Sequence, residues 1–269
     1  MTTLLVTNDD GVNSPALVPL VVALERLDAV TRVNTLVPDN ERSWISKALS
    51  RFEDITLGER EAVPGEPQIL TTTGTPADCA NLGIHRVFDD KPGLVVSGIN
   101  IGLNHGFAFT MGSGTVGAAS EAAIAGLPAI AFSVGVQGGH GSFVEVARSD
   151  AGAELWRRCA DVAADIVATV LEHGLPDGAD ILNVNFPQGV TLDTPRVVTE
   201  VARVGYDGLF SHREGKTYAF EYQGLSERRP SQGATDMATL HAGKVSITPL
   251  QLPSAAPITA QMRATFERG

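Results

Sequence analysis

Two patterns of apolar and polar residues divide the chain near residue 171. Before that point, short apolar runs alternate with segments in which apolar residues recur every three or four positions. The runs predict β-strands at 4–7, 33–37, 52–57, 68–73, 94–99 and 129–134, and the helical spacing predicts α-helices at 15–27, 78–87, 113–125 and 154–171. Alternating strands and helices indicate an α/β fold, with a parallel sheet covered by helices on both faces.

Beyond residue 171 the pattern changes to short strands separated by Gly, Pro and Asp. Strands are predicted at 181–186, 196–204, 217–222 and 244–250, and a terminal helix at 256–268. The segments 137–142 and 226–233 predict mobile loops. The sequence therefore predicts a doubly wound core followed by a β-rich C-terminal elaboration.

Composition narrows the class of protein. The chain has 269 residues, and its net charge of −11 comes without a basic run, which argues against binding to a nucleic-acid backbone. The two cysteines, Cys79 and Cys159, lack the spacing of a metal motif, so we expect a reduced, cytoplasmic protein. We see no secretory signal and no apolar stretch near the roughly 18 residues that a membrane span requires.

The first strand ends in the pair Asp9-Asp10, followed by Gly11. Adjacent buried carboxylates repel each other and are costly to desolvate, unless a cation lies between them. A hard divalent metal is the usual solution, and Gly11 permits the sharp turn that follows. The alternative is that one carboxylate caps the next helix near Ser14, which is itself a candidate N-cap before Pro15.

Three further loops border apolar strands or helices of the parallel half. Ser43 and Ser46 follow the second strand and could bind a cation or a phosphate, although a plain polar surface loop would look the same. Asn100 and Asn104 follow the strand at 94–99 among several glycines, without the spacing of a dinucleotide fingerprint. We therefore reject a nicotinamide site.

The fourth loop, at 112–116, opens a helix made of small residues. The free N–H groups and the dipole of such a helix start suit a phosphate, and Ser113 or Thr115 could equally be the N-cap. Because parallel strands bring these loops to one edge of the sheet, two carboxylates would meet hydroxyls, carboxamides and a helix N-terminus. That set of groups favours metal-assisted hydrolysis of a phosphoester.

The chain resembles SurE, the survival-protein family of metal-dependent 5′/3′-nucleotidases. The matching segments occur in the family's order and are 8–11, 38–46, 74–79, 96–106, 113–116 and 245–250. The resemblance implies a single domain, with a Rossmann-like core at 1–175 and a β-rich part at 176–269. It also implies a homodimer or homotetramer built by exchange of C-terminal segments.

The resemblance further implies one divalent ion, Mg²⁺ or Mn²⁺, and a nucleoside monophosphate or another phosphomonoester as substrate. The positions that match the metal ligands are Asp9, Asp10, Ser43 and Asn100. Asp9, Asp10 and Asn100 are also the expected catalytic residues, with one aspartate as general base or nucleophile. The expected substrate contacts are Ser46, Asn104, Ser113, Gly114 and Thr115.

Several residues depart from the family's pattern. Trp44 replaces a usual Gly, Lys47 replaces a small polar residue, and Gly112 stands where an aromatic residue often precedes Ser-Gly-Thr. The segment 105–109 replaces an acidic and aliphatic stretch. These positions are expected at the mouth of the pocket, where Trp44, Phe107 or Phe109 could stack on a base or simply pack.

Two other functions remain open. A phosphate- or nucleotide-binding protein without turnover would share the same loops, although intact Asp9, Asp10 and Asn100 argue against it. An aspartyl-phosphate enzyme of the haloacid dehalogenase type needs Asp-x-Asp after its first strand, whereas the two carboxylates here are adjacent.

Overall fold

A nine-stranded sheet forms the centre of the described part of the molecule. The structure is a computed structural model that describes residues 1–135, 149, 152–231, 233–255 and 257–267. The strands of this sheet, in chain order, are β1 (Thr2–Thr7), β2 (Val30–Pro38), β3 (Leu57–Glu59), β4 (Leu70–Thr72), β5 (Leu94–Ile101), β6 (Ala129–Gly135), β7 (Ile181–Pro187), β8 (Arg196–Val198) and β13 (Val245–Leu250). The loop predicted at 137–142 lies outside the described residues.

The order of the strands is β3-β4-β2-β1-β5-β6-β7-β13-β8. From β4 to β7 all neighbours are parallel, whereas β3 and β13 pair antiparallel with the strands at either end of that run. This is the order of a Rossmann-like sheet, in which the strand order reverses between β1 and β5. Ligands of such folds bind beyond the carboxyl ends of the strands at that reversal, so the ends of β1 and β5 define the expected crevice.

Helices cover both faces of the sheet. They are α1 (Leu17–Glu25), α2 (Pro76–Leu82), α3 (Gly106–Gly112), α4 (Gly114–Ile124), α5 (Ala153–His173), α6 (Asp236–His241) and α7 (Ala260–Phe266). Leu4 and Val6 pack in the same core as α1 and α5, while Leu5 packs in the core of α2 and α4, because successive side chains of a strand point to opposite faces. Among the described residues, none of the helices is long and apolar enough to cross a membrane.

The C-terminal strands extend the same sheet and add two small pairs beside it. Strands β7, β13 and β8 continue the order beyond β6. Strand β9 (Val204–Gly205) pairs with β12 (Ser226–Glu227), and β10 (Phe210–His212) pairs with β11 (Tyr218–Phe220). The predicted α/β fold with a β-rich C-terminal part is confirmed.

Some predicted elements are wrong in extent. Residues 52–56 form no strand, and Phe52 is 89% exposed, so its apolar character does not report burial. The strand predicted at 196–204 is divided into β8 and β9. Helices α3 and α6 were not predicted.

The expected cap of the first helix is also wrong. Helix α1 begins at Leu17 after Ala16, without a side-chain cap. Ser14 instead lies in a backbone turn, where its N–H donates to the carbonyl of Gly11 (3.1 Å) and its carbonyl accepts from the N–H of Leu17 (3.2 Å). Because of these turns, the helix begins two residues after Pro15, the predicted start.

Candidate active site

The acidic tip at the end of β1 is closed by a side-chain turn. The carboxamide of Asn8 accepts a hydrogen bond from the N–H of Gly11 (3.0 Å) and donates to its carbonyl (3.1 Å). Gly11 has φ +80°, and a Cβ atom there would lie 2.7 Å from the carbonyl carbon of Asn40. Glycine is therefore required both by the backbone conformation and by the close approach of the loop after β2.

Asp9 is buried, and its carboxylate is held by a single residue of α4. The hydroxyl of Thr115 donates to Oδ1 (2.6 Å), and the N–H of Thr115 donates to Oδ2 (3.1 Å). Burial raises the pKa of Asp9 to about 6, and the nearby carboxylate of Glu41 adds to the rise, although the bonds from Thr115 oppose it. Both donors are neutral, so they compensate the buried charge only in part.

Asp10 points toward the strand on the other side of the reversal. The N–H of Ile101 donates to its Oδ2 (2.9 Å), and the Asp10 residue is 8% exposed. Helix α1 has no side-chain cap, so the alternative in which one carboxylate caps that helix is wrong. The two aspartates are thus fixed from β5 and α4, the elements that flank the predicted crevice.

The loop after β2 is tied to the same site through its backbone. The N–H of Arg42 donates to the carbonyl of Asp9 (2.7 Å). Ser46 donates twice to the end of α3, from its N–H to Gly112 (3.0 Å) and from its hydroxyl to Met111 (2.8 Å). These bonds place the loop beside the carboxylates, and binding of a cation or a phosphate by Ser43 or Ser46 stays a prediction.

Ser43 and Asn100, the two expected neutral ligands, are engaged with their own loops. The hydroxyl of Ser43 donates to Glu41 (2.7 Å) at the surface. The carboxamide nitrogen of Asn100 donates to the carbonyl of Gly102 (2.8 Å), so the amide oxygen is the group that Asn100 offers to a cation. Among the described residues, no group of three or more His, Cys, Asp or Glu side chains could hold a metal, so a cation here would rely on such neutral ligands.

Asn104 belongs to a buried polar network. Its carboxamide donates to the hydroxyl of Ser133 (2.8 Å), and its N–H donates to Oδ1 of Asn185 (2.8 Å). Its carbonyl accepts from the carboxamide of Asn183 (2.7 Å). These partners were not predicted, although two asparagines at alternate positions of an otherwise apolar strand were a usable signal.

The start of α3 depends on an aspartate that was not predicted as a functional residue. Asp236 is fully buried and accepts hydrogen bonds from the N–H groups of Gly106 (2.8 Å), Ala202 (3.0 Å) and Met237 (2.7 Å). Burial lowers the pKa of His105, the neighbour of Gly106, although the charge of Asp236 opposes this. Asp236 therefore positions the loop that carries Asn104.

The start of α4 approaches Asp9 very closely. Ser113 is the N-cap, and its hydroxyl accepts a hydrogen bond from the N–H of Val116 (3.1 Å). A Cβ atom at Gly114 would lie 2.8 Å from Cβ of Asp9. Both donors of Thr115 are directed to Asp9. Phosphate contacts by Ser113, Gly114 and Thr115 stay predictions.

Comparison with known proteins identifies the family. The family model described as Survival protein SurE matches residues 4–208, which include every predicted site residue. The chain belongs to the SurE family. The resemblance inferred from the six sequence segments is thereby confirmed.

Relatives in the SurE family match almost the whole chain. The 5′-nucleotidase SurE of Methanocella arvoryzae is 39% identical over 254 residues, which cover 93% of this chain and 91% of that protein. The protein of the same name from Methanothrix thermoacetophila is 38% identical over 269 residues, with 96% of each chain covered. The crystal structure of the SurE protein from Aquifex aeolicus superposes with a TM-score of 0.69 at 29% identity, covering 98% of this chain and 97% of that one.

Proposed function

We propose that this chain is a metal-dependent phosphomonoesterase that hydrolyses nucleoside 5′- and 3′-monophosphates to a nucleoside and phosphate. The observation that carries this proposal is the pair of adjacent, buried carboxylates, Asp9 and Asp10, at the reversal of a Rossmann-like sheet. Relatives that are named 5′-nucleotidase SurE and match over 90% of the chain support the substrate class.

The residues present fit one divalent cation, Mg²⁺ or Mn²⁺. Asp9, Asp10, Ser43 and Asn100 would hold it, because two carboxylates balance a double charge and neutral oxygens complete a hard-ligand set. The raised pKa of Asp9 supports the fit, since a buried carboxylate that lacks a full counter-charge gains most from a cation. When bound, the ion would supply Lewis-acid polarisation of a phosphoryl oxygen.

The residues of the chain suggest which groups take part in each step of the reaction. A water molecule attacks phosphorus in line, the P–O ester bond breaks, and the proton of the water passes to a carboxylate and then to the leaving alkoxide. Asp9 and Asp10 are the two candidates for the proton-accepting step, because both carboxylates lie at the reversal of the strand order. Direct attack by Asp9 or Asp10 is the alternative, and it would leave a phospho-aspartate that can be trapped.

Binding of the phosphate falls to residues around this pair. Ser46, Asn104, Ser113, Gly114 and Thr115 are the proposed contacts, with the start of α4 facing the equatorial oxygens. Thr115 also keeps the carboxylate of Asp9 in place, because its hydroxyl and its N–H donate to that carboxylate. Asn100 would orient the phosphoryl group from the end of β5.

We also propose a cytoplasmic homodimer or homotetramer that acts on small molecules rather than on a nucleic-acid duplex. The net charge of −11 supports the last point, because a duplex binder needs a concentrated positive surface.

Release of phosphate tests the proposed function directly. The purified protein is assayed with 5′- and 3′-nucleoside monophosphates and with an aryl phosphate, in Mg²⁺, in Mn²⁺ and after chelation. We expect release that requires a metal and that is lost in Asp9→Asn, while the exposed matched change Glu172→Gln keeps full activity. Release that persists after chelation would overturn the metal requirement, and its absence in every condition would favour a binding protein.

A further inference from the structure

Five aromatic side chains gather beside the predicted phosphate site, and we call them the aromatic wall: Trp44, Phe109, Tyr206, Phe220 and Tyr222. The ring of Trp44 meets the rings of Phe109, Tyr206 and Phe220 edge to face, with centroids 5.6, 5.7 and 5.6 Å away. Tyr222 packs on Phe109 at 5.6 Å. The wall therefore joins the loop after β2, helix α3 and the C-terminal strands.

Trp44 is held in an unusual position to form this wall. Its φ of +59° is rare for a residue other than glycine, and Ser46 shares it with φ +55°. The two hydrogen bonds of Ser46 to the end of α3 secure the loop. The ring of Trp44 lies over Gly112, where a Cβ atom would come within 3.3 Å of Cε3 of the indole. Strain of this kind persists where the surroundings impose it, and it clusters at active sites and ligand-binding sites.

The wall keeps a large exposed surface. Trp44 is 42% exposed, Phe220 51% and Tyr222 42%, although each ring already has aromatic neighbours. A cluster that served only to pack the C-terminal strands against α3 would bury these rings. Flat aromatic surface that stays accessible on a rigid scaffold suits a planar ligand.

The wall and the carboxylates are joined by a very short piece of chain. Trp44 contacts the position of Gly112, whereas Asp9 contacts the positions of Gly114 and Thr115. Two consecutive peptide units span at most about 7.6 Å between Cα atoms, so the two features lie close together. A molecule that places its phosphate at the carboxylates can thus reach the wall with its other end.

We propose that the aromatic wall binds the base of the substrate and that Trp44 determines the preference for nucleotides over phosphate esters without a base. This inference rests on the proposed function and deepens it. It also explains together why positions 44 and 112 differ from the family's pattern, because the small residue at 112 makes room for the ring of Trp44.

Kinetics with and without a base provide the test. AMP and ribose 5-phosphate share the phosphate and the sugar, and only AMP carries a base. Only AMP should therefore contact the aromatic wall. Trp44→Gly removes the ring while accepting the positive φ, and Trp44→Phe conserves an aromatic face. We expect Trp44→Gly to raise KM for AMP about tenfold with ribose 5-phosphate changed less than about twofold, and Trp44→Phe to recover most of the loss.

An equal loss for both substrates would overturn the inference, because it would mean that the ring only shapes the loop. An unchanged KM for AMP would overturn it as well, since no contact with the base would then exist.

Fluorescence gives a readout that does not need turnover. The chain has two tryptophans, and Trp156 is only 1% exposed, so a ligand in solution should quench Trp44 selectively. We expect adenosine to quench the wild type, ribose 5-phosphate not to do so, and Trp44→Phe to abolish the effect. Quenching by adenosine without hydrolysis of any ester would support base binding by the aromatic wall and overturn the proposed function. Hydrolysis without quenching by adenosine would overturn base binding by the aromatic wall and leave the proposed function standing.

Discussion

Thr115 holds both oxygens of the Asp9 carboxylate, through its hydroxyl at 2.6 Å and its backbone N–H at 3.1 Å. These bonds fix the orientation of the Asp9 side chain, after β1, relative to α4. The two residues are 106 positions apart in the sequence. The hydroxyl of Thr115 has two acceptor lone pairs and accepts one bond from the carboxamide of Asn104 (3.4 Å), so it can also accept from an asparagine at position 9. Asp9→Asn is therefore a clean way to remove the charge of Asp9.

The stability of the metal-free protein should depend on pH through Asp9. The pKa of Asp9 is about 6 in the folded state and 3.8 in a model peptide, so the folded state binds the proton more tightly. The free energy of unfolding should then fall as pH rises from about 4 to about 6, by roughly 3 kcal/mol at most, and change little from this source above pH 6. Urea unfolding with a chelator at several pH values measures this slope.

Asp9→Asn should remove that part of the slope and stabilise the metal-free protein at pH 7, because the buried charge is gone. Glu172→Gln is the control, since its carboxylate is exposed at the end of α5. Equal slopes in the wild type and in Asp9→Asn would show that Asp9 does not titrate in this range.

Divalent cations should stabilise the wild type and not the variant. A ligand that binds only the folded state raises stability by RT ln(1 + [L]/Kd), or about 2.7 kcal/mol at a hundredfold excess over Kd. We expect Mg²⁺ or Mn²⁺ to raise Tm of the wild type and of Glu172→Gln in a thermal-shift titration. A similar rise in Asp9→Asn would place the cation elsewhere.

Gly117→Ala should reverse the usual effect of alanine in a helix. Alanine normally stabilises a helix interior by about 1 kcal/mol relative to glycine. At position 117, however, a Cβ atom would overlap the carbonyl oxygen of Ser46, so the loop that carries Ser46 must move. We expect a lower Tm and a raised KM for phosphoester substrates.

The matched control is Gly189→Ala, where nothing lies within 4 Å of the added methyl group. A Gly117→Ala protein that is more stable than the wild type, with unchanged KM, would mean that Ser46 is not held against α4.

Asp236→Asn should loosen the loop that carries Asn104. The added amide hydrogens would face N–H groups that now donate to a carboxylate, so at least one buried donor loses its partner. We expect a loss of about 2–4 kcal/mol in the free energy of unfolding, measured with urea, and a raised KM. Asp193→Asn, at an exposed position, should change neither value. A stability loss without any change in KM would confine the role of Asp236 to the fold.

Much of the architecture could be predicted because the buried strands are continuous apolar runs. β1, β5 and β6 follow from their sequences alone, and the parallel order then brings the predicted loops together. Helix α3 could not be predicted, because its glycines and aromatic residues are poor helix formers. Its start is held by Asp236, which lies 130 residues from Gly106 in sequence.

The candidate site was predictable to a similar degree. An acidic pair after a buried strand is a local signal, and the structure buries both carboxylates at the reversal of the sheet. The two hydrogen bonds from Thr115 to Asp9 could not be predicted, because they depend on the tertiary structure. From sequence alone, a hydroxyl at the start of a helix could equally bind a phosphate or cap the helix. The partners of Asn104 on β6 and β7 were hidden for the same reason, since only the strand order brings them near.

The contact between Arg42 and the carbonyl of Asp9 is made by a backbone N–H, and so is one of the two bonds that dock Ser46 on α3. Any amino acid except proline supplies that donor. The side chains between these anchors can consequently be exchanged by mutation without dismantling the scaffold that orients the acidic pair. A protein lineage with this arrangement can change its substrate preference one residue at a time. An engineer could randomise position 44 on the same principle.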